Sequence, residues 1–158
     1  MSQALPAVRM TIGGDVFQAR LRRDLAPRSC ELLGKLLPYR GELVHAQWSG
    51  QSCWSPLGSR WPAGTGLPPE SATAYPAPGE ILLFGGGLSE PELLIAYGPS
   101  RFASKAGPLA GNPVLTIDGE LARLAELGRR ILWRGAVELH IEHLNAVRHT
   151  GGMEHGGE

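Results

Sequence analysis

Long apolar runs, net charge and abundant cysteine are all absent from this sequence. No apolar run approaches the roughly 18 residues of a membrane-spanning helix, so we expect no membrane partner. The 15 basic and 15 acidic residues cancel, which leaves no long-range field to attract nucleic acid. The two cysteines, Cys30 and Cys53, do not form a zinc-binding spacing. No signal peptide is visible, so the sequence predicts a cytoplasmic protein with reduced thiols.

Glycine and proline, in contrast, are abundant. The 158 residues include 22 glycines and 13 prolines, which favours short elements and tight turns over long helices. A hydrophobic fraction of 42% is enough for a packed core, and the length fits one domain. We therefore predict a single domain over residues 1–145, followed by a flexible, glycine-rich tail at 146–158.

Short alternating segments predict a mainly β protein. Apolar and polar residues alternate at 8–12, and Gly13-Gly14 then supplies a two-residue hairpin turn before a returning strand at 16–21. Further strands are predicted at 43–48, 52–57, 73–75, 80–84, 93–97, 114–117 and 137–141. Runs of strands between turn signals favour a closed antiparallel β-barrel.

Two helical patterns interrupt the strands and are expected to cap the barrel. The first, at 27–37, begins with Pro27, whose missing N–H costs nothing in a first turn. The second, at 119–133, has Asp118 as its predicted cap, and Arg123 is expected to face solvent. The predicted apolar stripe of this second helix comprises Leu121, Leu124, Ala125 and Ile131.

The segment at 97–112 is the main candidate for a ligand-binding loop. It contains two glycine–proline pairs, and glycine lets a ligand approach the backbone closely. Arg101 and Lys105 suit a carboxylate or another anion, and Phe102 and Asn112 lie near them in sequence. The alternative interpretation is an ordinary surface loop with two solvated cations.

His45, Trp48 and Trp54 supply a second group of candidate binding residues. Aromatic walls commonly line small-molecule pockets, whereas the alternative role of these tryptophans is core packing. A histidine inside a barrel cavity can act as an acid or base near neutral pH, and its alternative is a hydrogen-bonded structural role. Since His45 and Trp48 lie three apart on a predicted strand, they are expected to point to opposite faces.

The sequence offers one nucleophile-and-base pair. Cys53 and His45 flank a predicted turn, and a cysteine nucleophile needs such a neighbouring base. Cys30 lies on an apolar helix stripe and is expected to be inert. His140 and His143 lie three apart near the end of a strand, a spacing that suits a metal better on a helix. We therefore expect neither a metal nor a cofactor, and His45 and Cys53 are the only candidate catalytic residues.

Several strings of the sequence resemble those of one protein family. They are HAQWSG-x-x-CW at 45–54, YPAPGEILLFGGG at 75–87, ELLIAYG at 92–98, RFASKAGPLAGN at 101–112 and LAELGRRILW at 124–133. These strings resemble an uncharacterised family of small bacterial and archaeal proteins in the cyclophilin-like superfamily. The resemblance covers roughly residues 8–140 and implies a closed antiparallel barrel with two helices. The Arg, Phe and Gln set of the prolyl isomerases of this fold has no counterpart here, so prolyl isomerisation is not expected.

The expected function is binding of a small anionic or amide-bearing metabolite, with or without hydrolysis. The amide-bearing class is implied by the resemblance, because other cyclophilin-like domains resemble subunits of amide-ring hydrolases. Arg101 and Lys105 are expected to face His45 and a tryptophan across one cavity of the barrel. The competing class is a non-catalytic structural or regulatory subunit that binds another protein. The apolar surface that a small barrel must cover favours a homo-oligomer.

Overall fold

The computed structural model of this chain describes residues 5–144, within which eight strands close into an antiparallel barrel. The strands are β1 (Ala7–Ile12), β2 (Asp15–Leu21), β3 (Tyr39–His45), β4 (Gly50–Pro56), β5 (Glu80–Phe84), β6 (Glu92–Ser100), β7 (Ala103–Ser104), β8 (Gly107–Pro108), β9 (Asn112–Ile117) and β10 (Val137–His143). The barrel order is β1-β10-β3-β4-β6-β5-β9-β2, and β7 and β8 form a separate ribbon. The predicted mainly β barrel is confirmed, while the predicted tail at 146–158 lies outside the described residues.

The first hairpin shows how glycine shapes this chain. Gly13 and Gly14 have φ angles of 56° and 95°, and a two-residue hairpin turn of this kind requires a positive φ at both positions. The turn sets Ile12 opposite Asp15 in the β1–β2 register. The alternating residues of β1 then bury every second side chain, as the sequence pattern predicts.

Two α-helices accompany the barrel, close to their predicted positions. Helix α1 covers Pro27–Leu36 and has its proline in the first turn. Helix α2 covers Leu121–Arg134 and ends at Gly135, whose φ is 103°. Helix α1 contacts β9, and α2 packs on β3, β4 and β6. Both helices contribute apolar side chains to the main core.

The start of α2 differs from the prediction. Asp118 does not cap the helix; its carboxylate instead pairs with Arg20 at 3.1 Å. Gly119 and Glu120 both adopt positive φ angles between this aspartate and the first helical turn, so the chain turns before the helix begins. Leu121 is consequently 42% exposed, so its predicted place in the buried stripe is wrong. The buried residues of α2 are Leu124, Leu127, Gly128 and Ile131.

Two predicted strands are shorter or weaker than expected. The strand predicted at 43–48 ends at His45, and the next residues form a 3₁₀ turn over Gln47–Ser49. The segment predicted at 73–75 makes only a single bridge, from Thr73 to Gly111. Ser49 and Gly50 end the first segment, and Pro76 and Pro78 follow the second, so turn and loop structure prevails there.

The apolar residues divide into an interior core and a smaller outer cluster. The barrel interior is filled by large side chains such as Phe17, Tyr39 and Met10. The outer cluster comprises Ala46, Leu82, Leu94, Phe102 and Leu109, with Trp54 and Phe84 packed against it. It lies under a segment that we call the arm, residues 101–109, which contains β7 and β8. No helix in the described residues 5–144 is both long and apolar enough to cross a membrane.

Candidate functional site

A pocket on the outer side of the barrel brings together three of the predicted binding residues. Trp48, Trp54 and Lys105 line it, together with Ser89, Glu92, Ala103 and Ser104. Its cavity volume is about 250 Å³, and we call it the aromatic pocket. Trp54 packs against the outer cluster, whereas its neighbour Cys53 belongs to the interior core. Alternation along β4 therefore sets the pocket on the opposite side of the strand from the barrel interior.

The two tryptophans define the shape of the aromatic pocket. Their rings meet edge to face, with centroids 5.9 Å apart and an interplanar angle of 73°. Trp48 stands on the 3₁₀ turn and is 58% exposed, while Trp54 is partly buried. The indole N–H of Trp54 is buried and has no hydrogen-bond partner among the described residues. An unpaired buried donor is costly to the folded state.

Ser49 holds the arm against the turn that carries Trp48. The Ser49 hydroxyl accepts a hydrogen bond from the Ala103 N–H at 3.1 Å and donates one to the Ala103 carbonyl at 3.2 Å. The Ser49 carbonyl accepts a further bond from the Arg101 N–H at 2.9 Å. These bonds fix Ser104 and Lys105 beside Trp48. Gly111 follows the arm and packs closely against β5. A Cβ at residue 111 would lie only 2.9 Å from the Cβ of Leu82, so the close packing depends on glycine.

Glu92 adds a buried acid to the aromatic pocket. Its side chain is 5% exposed, although it lines the cavity with Trp54 and Lys105. Burial, with a smaller contribution from the nearby Glu90 carboxylate, raises the pKa of Glu92 to about 8. Desolvation favours the neutral form of a carboxyl group, so Glu92 is largely protonated at neutral pH unless a positive group approaches.

His45 and Cys53 lie together, but in the barrel interior rather than in the aromatic pocket. They oppose one another in the β3–β4 register, as their predicted positions on two sides of a turn require. Burial raises the pKa of the Cys53 thiol to about 12 and lowers the pKa of His45. Both shifts favour the neutral forms, so this pair lacks the thiolate that a nucleophile needs.

The position of His45 also corrects the expected cavity. Its Nε2 lies 2.7 Å from the Tyr97 hydroxyl, and its buried Nδ1 has no hydrogen-bond partner among the described residues. Tyr97 belongs to the interior core. Because β3 and β4 form a wall between the interior and the aromatic pocket, His45 and Lys105 do not face one another. His45 and Trp48 lie on opposite sides of this wall, but they do not share a strand as expected, because Trp48 stands on the 3₁₀ turn after β3.

Three other predicted binding residues lie outside the aromatic pocket. Arg101 is exposed and is absent from the lining residues. Phe102 is buried and meets Phe84 edge to face, with ring centroids 5.6 Å apart. The Asn112 side-chain amide donates to the Ser29 hydroxyl at 2.9 Å and to the Pro68 carbonyl at 2.9 Å. Phe102 and Asn112 therefore support the arm and the loops, since their contacts are with the protein itself.

A larger groove runs along α1, with a volume of about 590 Å³. Its charged lining residues are Arg23, Arg28, Glu31 and Lys35, together with His143. Cys30 also lines it, and burial raises the pKa of this thiol to about 11. The start of α1 is already occupied, because the Glu70 carboxylate accepts bonds from the Ser29 N–H at 2.8 Å and the Ser29 hydroxyl at 2.6 Å. We therefore favour the aromatic pocket as the site.

Glu92 and Ser49 are among the residues of the site that sequence reasoning missed. Glu92 stands in the apolar string ELLIAYG, and an isolated acid beside a buried strand is the signal that points to it. Ser49 carries no such signal, since its role depends on the arm folding back over the turn. Within residues 5–144, no three side chains of His, Cys, Asp or Glu are grouped as a metal ion would require.

A family model matches residues 8–143 of this chain, and its description is "Protein of unknown function (DUF3830)". The chain belongs to the DUF3830 family. This membership agrees with the expected resemblance to an uncharacterised family of small proteins. Among curated proteins, none is significantly similar to the chain.

Two solved structures share the fold of this DUF3830 protein. The structure of McbB in complex with tryptophan is 23% identical, with a TM-score of 0.67, and the match covers 87% of this chain and 44% of McbB. The solution structure of the hypothetical protein AF2241 from Archaeoglobus fulgidus is 10% identical, with a TM-score of 0.51, over 90% of this chain and 98% of AF2241. The chain thus spans less than half the length of McbB. Both likenesses concern the fold alone.

Proposed function

We propose that this protein binds a small anionic metabolite, of the carboxylate class, in the aromatic pocket. The observation that carries the proposal is the placement of Lys105 beside Trp48 and Trp54 by the hydrogen-bonded arm. A lysine ammonium supplies a point charge for a carboxylate, and tryptophan rings supply apolar contact area at little cost in conformational entropy. McbB, whose structure contains tryptophan, suggests a test ligand with these properties.

Calorimetric titration with indole-3-propionate tests this proposal. Lys105→Gln removes the charge but keeps most of the side-chain length, and it should weaken binding about tenfold to a hundredfold, because a hydrogen bond to a charged group contributes about 1.5–3 kcal/mol. Arg101→Gln is the matched control, since Arg101 is an exposed cation of the same arm outside the pocket lining. Equal effects of the two substitutions, or no effect of either, would contradict the proposed site.

We also propose a superfamily, a cellular compartment and the absence of one activity for this protein. We place the family in the cyclophilin-like superfamily, in the cytoplasm, and without prolyl isomerase activity. The closed eight-stranded barrel with two helices supports the superfamily. A peptide isomerisation assay on an X–Pro substrate should show no acceleration by the protein. Catalysis at a rate typical of a prolyl isomerase would overturn the proposed absence of this activity.

A second candidate function is association through α2. Trp133 is 83% exposed and stands beside Arg129 and Arg134 at the end of the helix. An exposed tryptophan with neighbouring arginines is typical of interface hot spots, and a second copy of the chain would make the expected homo-oligomer. Sedimentation velocity should then show a dimer that Trp133→Ala dissociates, while a monomeric wild-type protein would exclude this role for self-association.

A further inference from the structure

Glu92 is the part of the aromatic pocket that a purely anionic ligand leaves unexplained. Its backbone lies between Pro56 and Phe84 in the barrel sheet, and its 5%-exposed side chain lines the cavity. Within residues 5–144, its carboxyl group makes no hydrogen bond and no ion pair. Buried carboxyl groups in proteins are normally paired, so the ligand itself is the expected partner.

A positively charged group satisfies this acid best. Burial raises the pKa of Glu92 and favours its neutral form, whereas a cation at hydrogen-bond distance restores the carboxylate. A metal ion would require further ligands, and the described residues contain no group of three His, Cys, Asp or Glu side chains. An ammonium group needs only one carboxylate and a nearby aromatic face. Trp54 lines the same cavity as Glu92 and supplies that face.

We propose that the ligand is a small zwitterion, an α-amino acid or a compound with the same charge pattern, whose ammonium binds Glu92 and whose carboxylate binds Lys105. The inference rests on the proposed function, because Lys105 is the carboxylate partner in both. Trp48 and Trp54 then form the aromatic wall that the side chain of the ligand packs against. The cavity of about 250 Å³ is smaller than a typical drug-sized pocket, which suits a single amino acid better than a peptide.

Three probes that share an indole ring test the contributions of the ammonium and the carboxylate separately. Tryptophan carries both charges, indole-3-propionate lacks the ammonium, and tryptamine lacks the carboxylate. Calorimetric titration of the full chain should rank tryptophan first, by about tenfold or more over each single-charge probe. If indole-3-propionate or tryptamine binds wild-type protein as tightly as tryptophan does, the zwitterion inference is overturned.

Substitutions assign each charge to its residue. Glu92→Gln should weaken tryptophan and tryptamine about tenfold and leave indole-3-propionate within about twofold. Lys105→Gln should weaken tryptophan and indole-3-propionate and spare tryptamine. Glu42→Gln is the control, because Glu42 is an exposed acid of β3 outside the lining residues; it should leave all three affinities unchanged. If Glu92→Gln fails to fold, the wild-type ranking of the probes decides alone.

The outcomes also separate this inference from the proposed function. Binding of both carboxylate probes with equal affinity and equal dependence on Lys105 would support the proposed function and overturn the zwitterion. Carboxylate binding that does not depend on Lys105, or no binding of any probe, would overturn both. A tryptophan preference that survives Glu92→Gln would show that another residue recognises the ammonium, and would overturn the role of Glu92.

Discussion

Gly128 of α2 lies directly against the aromatic ring of Tyr97 in β6. A Cβ built at residue 128 would overlap the ring, so the helix approaches the barrel closely only because this residue has no side chain. The Tyr97 hydroxyl in turn lies 2.7 Å from Nε2 of His45. Gly128 thereby sets the position of the hydrogen-bonded Tyr97–His45 pair.

Gly128→Ala should destabilise the protein, although alanine favours helices more than glycine does. The added methyl group must displace the Tyr97 ring, and overpacking of this kind costs about 1–3 kcal/mol. Gly34→Ala in α1 is the matched control, since the nearest atom to its Cβ is 4.0 Å away; it should be neutral or stabilising by about 0.5–1 kcal/mol. Denaturant unfolding measures both, and a stabilising Gly128→Ala would disprove the close contact.

Leu124→Ala tests the buried face of α2. Leu124 is buried in the main core, and a leucine truncated there costs about 2–5 kcal/mol in the free energy of unfolding. Glu126→Ala is the control, because its exposed side chain should contribute less than about 0.5 kcal/mol. Similar costs for the two variants would mean that the helix is rotated.

Arg123 does not serve as a neutral control, contrary to its predicted solvent-facing role. It pairs with Glu120 at 3.0 Å and with Asp15 at 3.6 Å, and its guanidinium lies 4.1 Å from the centroid of the Phe17 ring. The hairpin and the helix meet at this residue, so its substitution affects a network rather than a single solvated charge.

Glu92 should make stability fall as the pH rises. Its pKa is about 8 in the folded protein against an ordinary value of 4.5, so the folded state holds a proton that the unfolded state has lost between these values. The free energy of unfolding should therefore decrease from about pH 4.5 to pH 8, by about 1.36 kcal/mol for each unit between the two pKa values.

Comparison with Glu92→Gln isolates this contribution. His45, whose pKa is lowered, acts in the opposite direction, but it titrates equally in both proteins. Urea unfolding should give similar stabilities at pH 4 and a more stable Gln variant at pH 9. If the difference in free energy of unfolding between the wild type and Glu92→Gln is the same at pH 4 and pH 9, Glu92 is not a buried, unpaired acid.

Ser49→Ala should loosen the arm. The substitution removes both hydroxyl bonds to Ala103, each worth about 0.5–1.5 kcal/mol, and leaves the Ala103 N–H without its partner. The amide of Ala103 should then exchange with solvent about tenfold faster, and the affinity for indole-3-propionate should fall with it. Ser59→Ala, at an exposed serine, is the control, and unchanged exchange at Ala103 would show that other contacts hold the arm.

The fold follows from the sequence largely through local patterns. Alternation in β1 and the two glycines of its turn specify a hairpin with little dependence on the rest of the chain. The start of α2 was missed because Glu120 adopts a left-handed conformation that its residue type does not indicate. Element types were therefore predictable, and the conformation at this boundary was set by tertiary contacts such as the Asp118–Arg20 pair.

The candidate site was only half predictable for a related reason. Residue type alone indicates Trp48, Trp54 and Lys105, and the folded arm brings them together. Arg101 has the same charge as Lys105 and is also exposed, but only Lys105 lines the pocket. Which side of β4 forms the pocket depends on the outer cluster under the arm, a non-local arrangement that no spacing in the sequence reveals.

A crystal structure of the protein grown with tryptophan tests the central claim most directly. We expect ligand density in the aromatic pocket against Trp48 and Trp54, with the ligand carboxylate within hydrogen-bond distance of the Lys105 Nζ and the ammonium at the Glu92 carboxylate. Ligand density in the groove along α1, or an unoccupied aromatic pocket at saturating tryptophan, would contradict it.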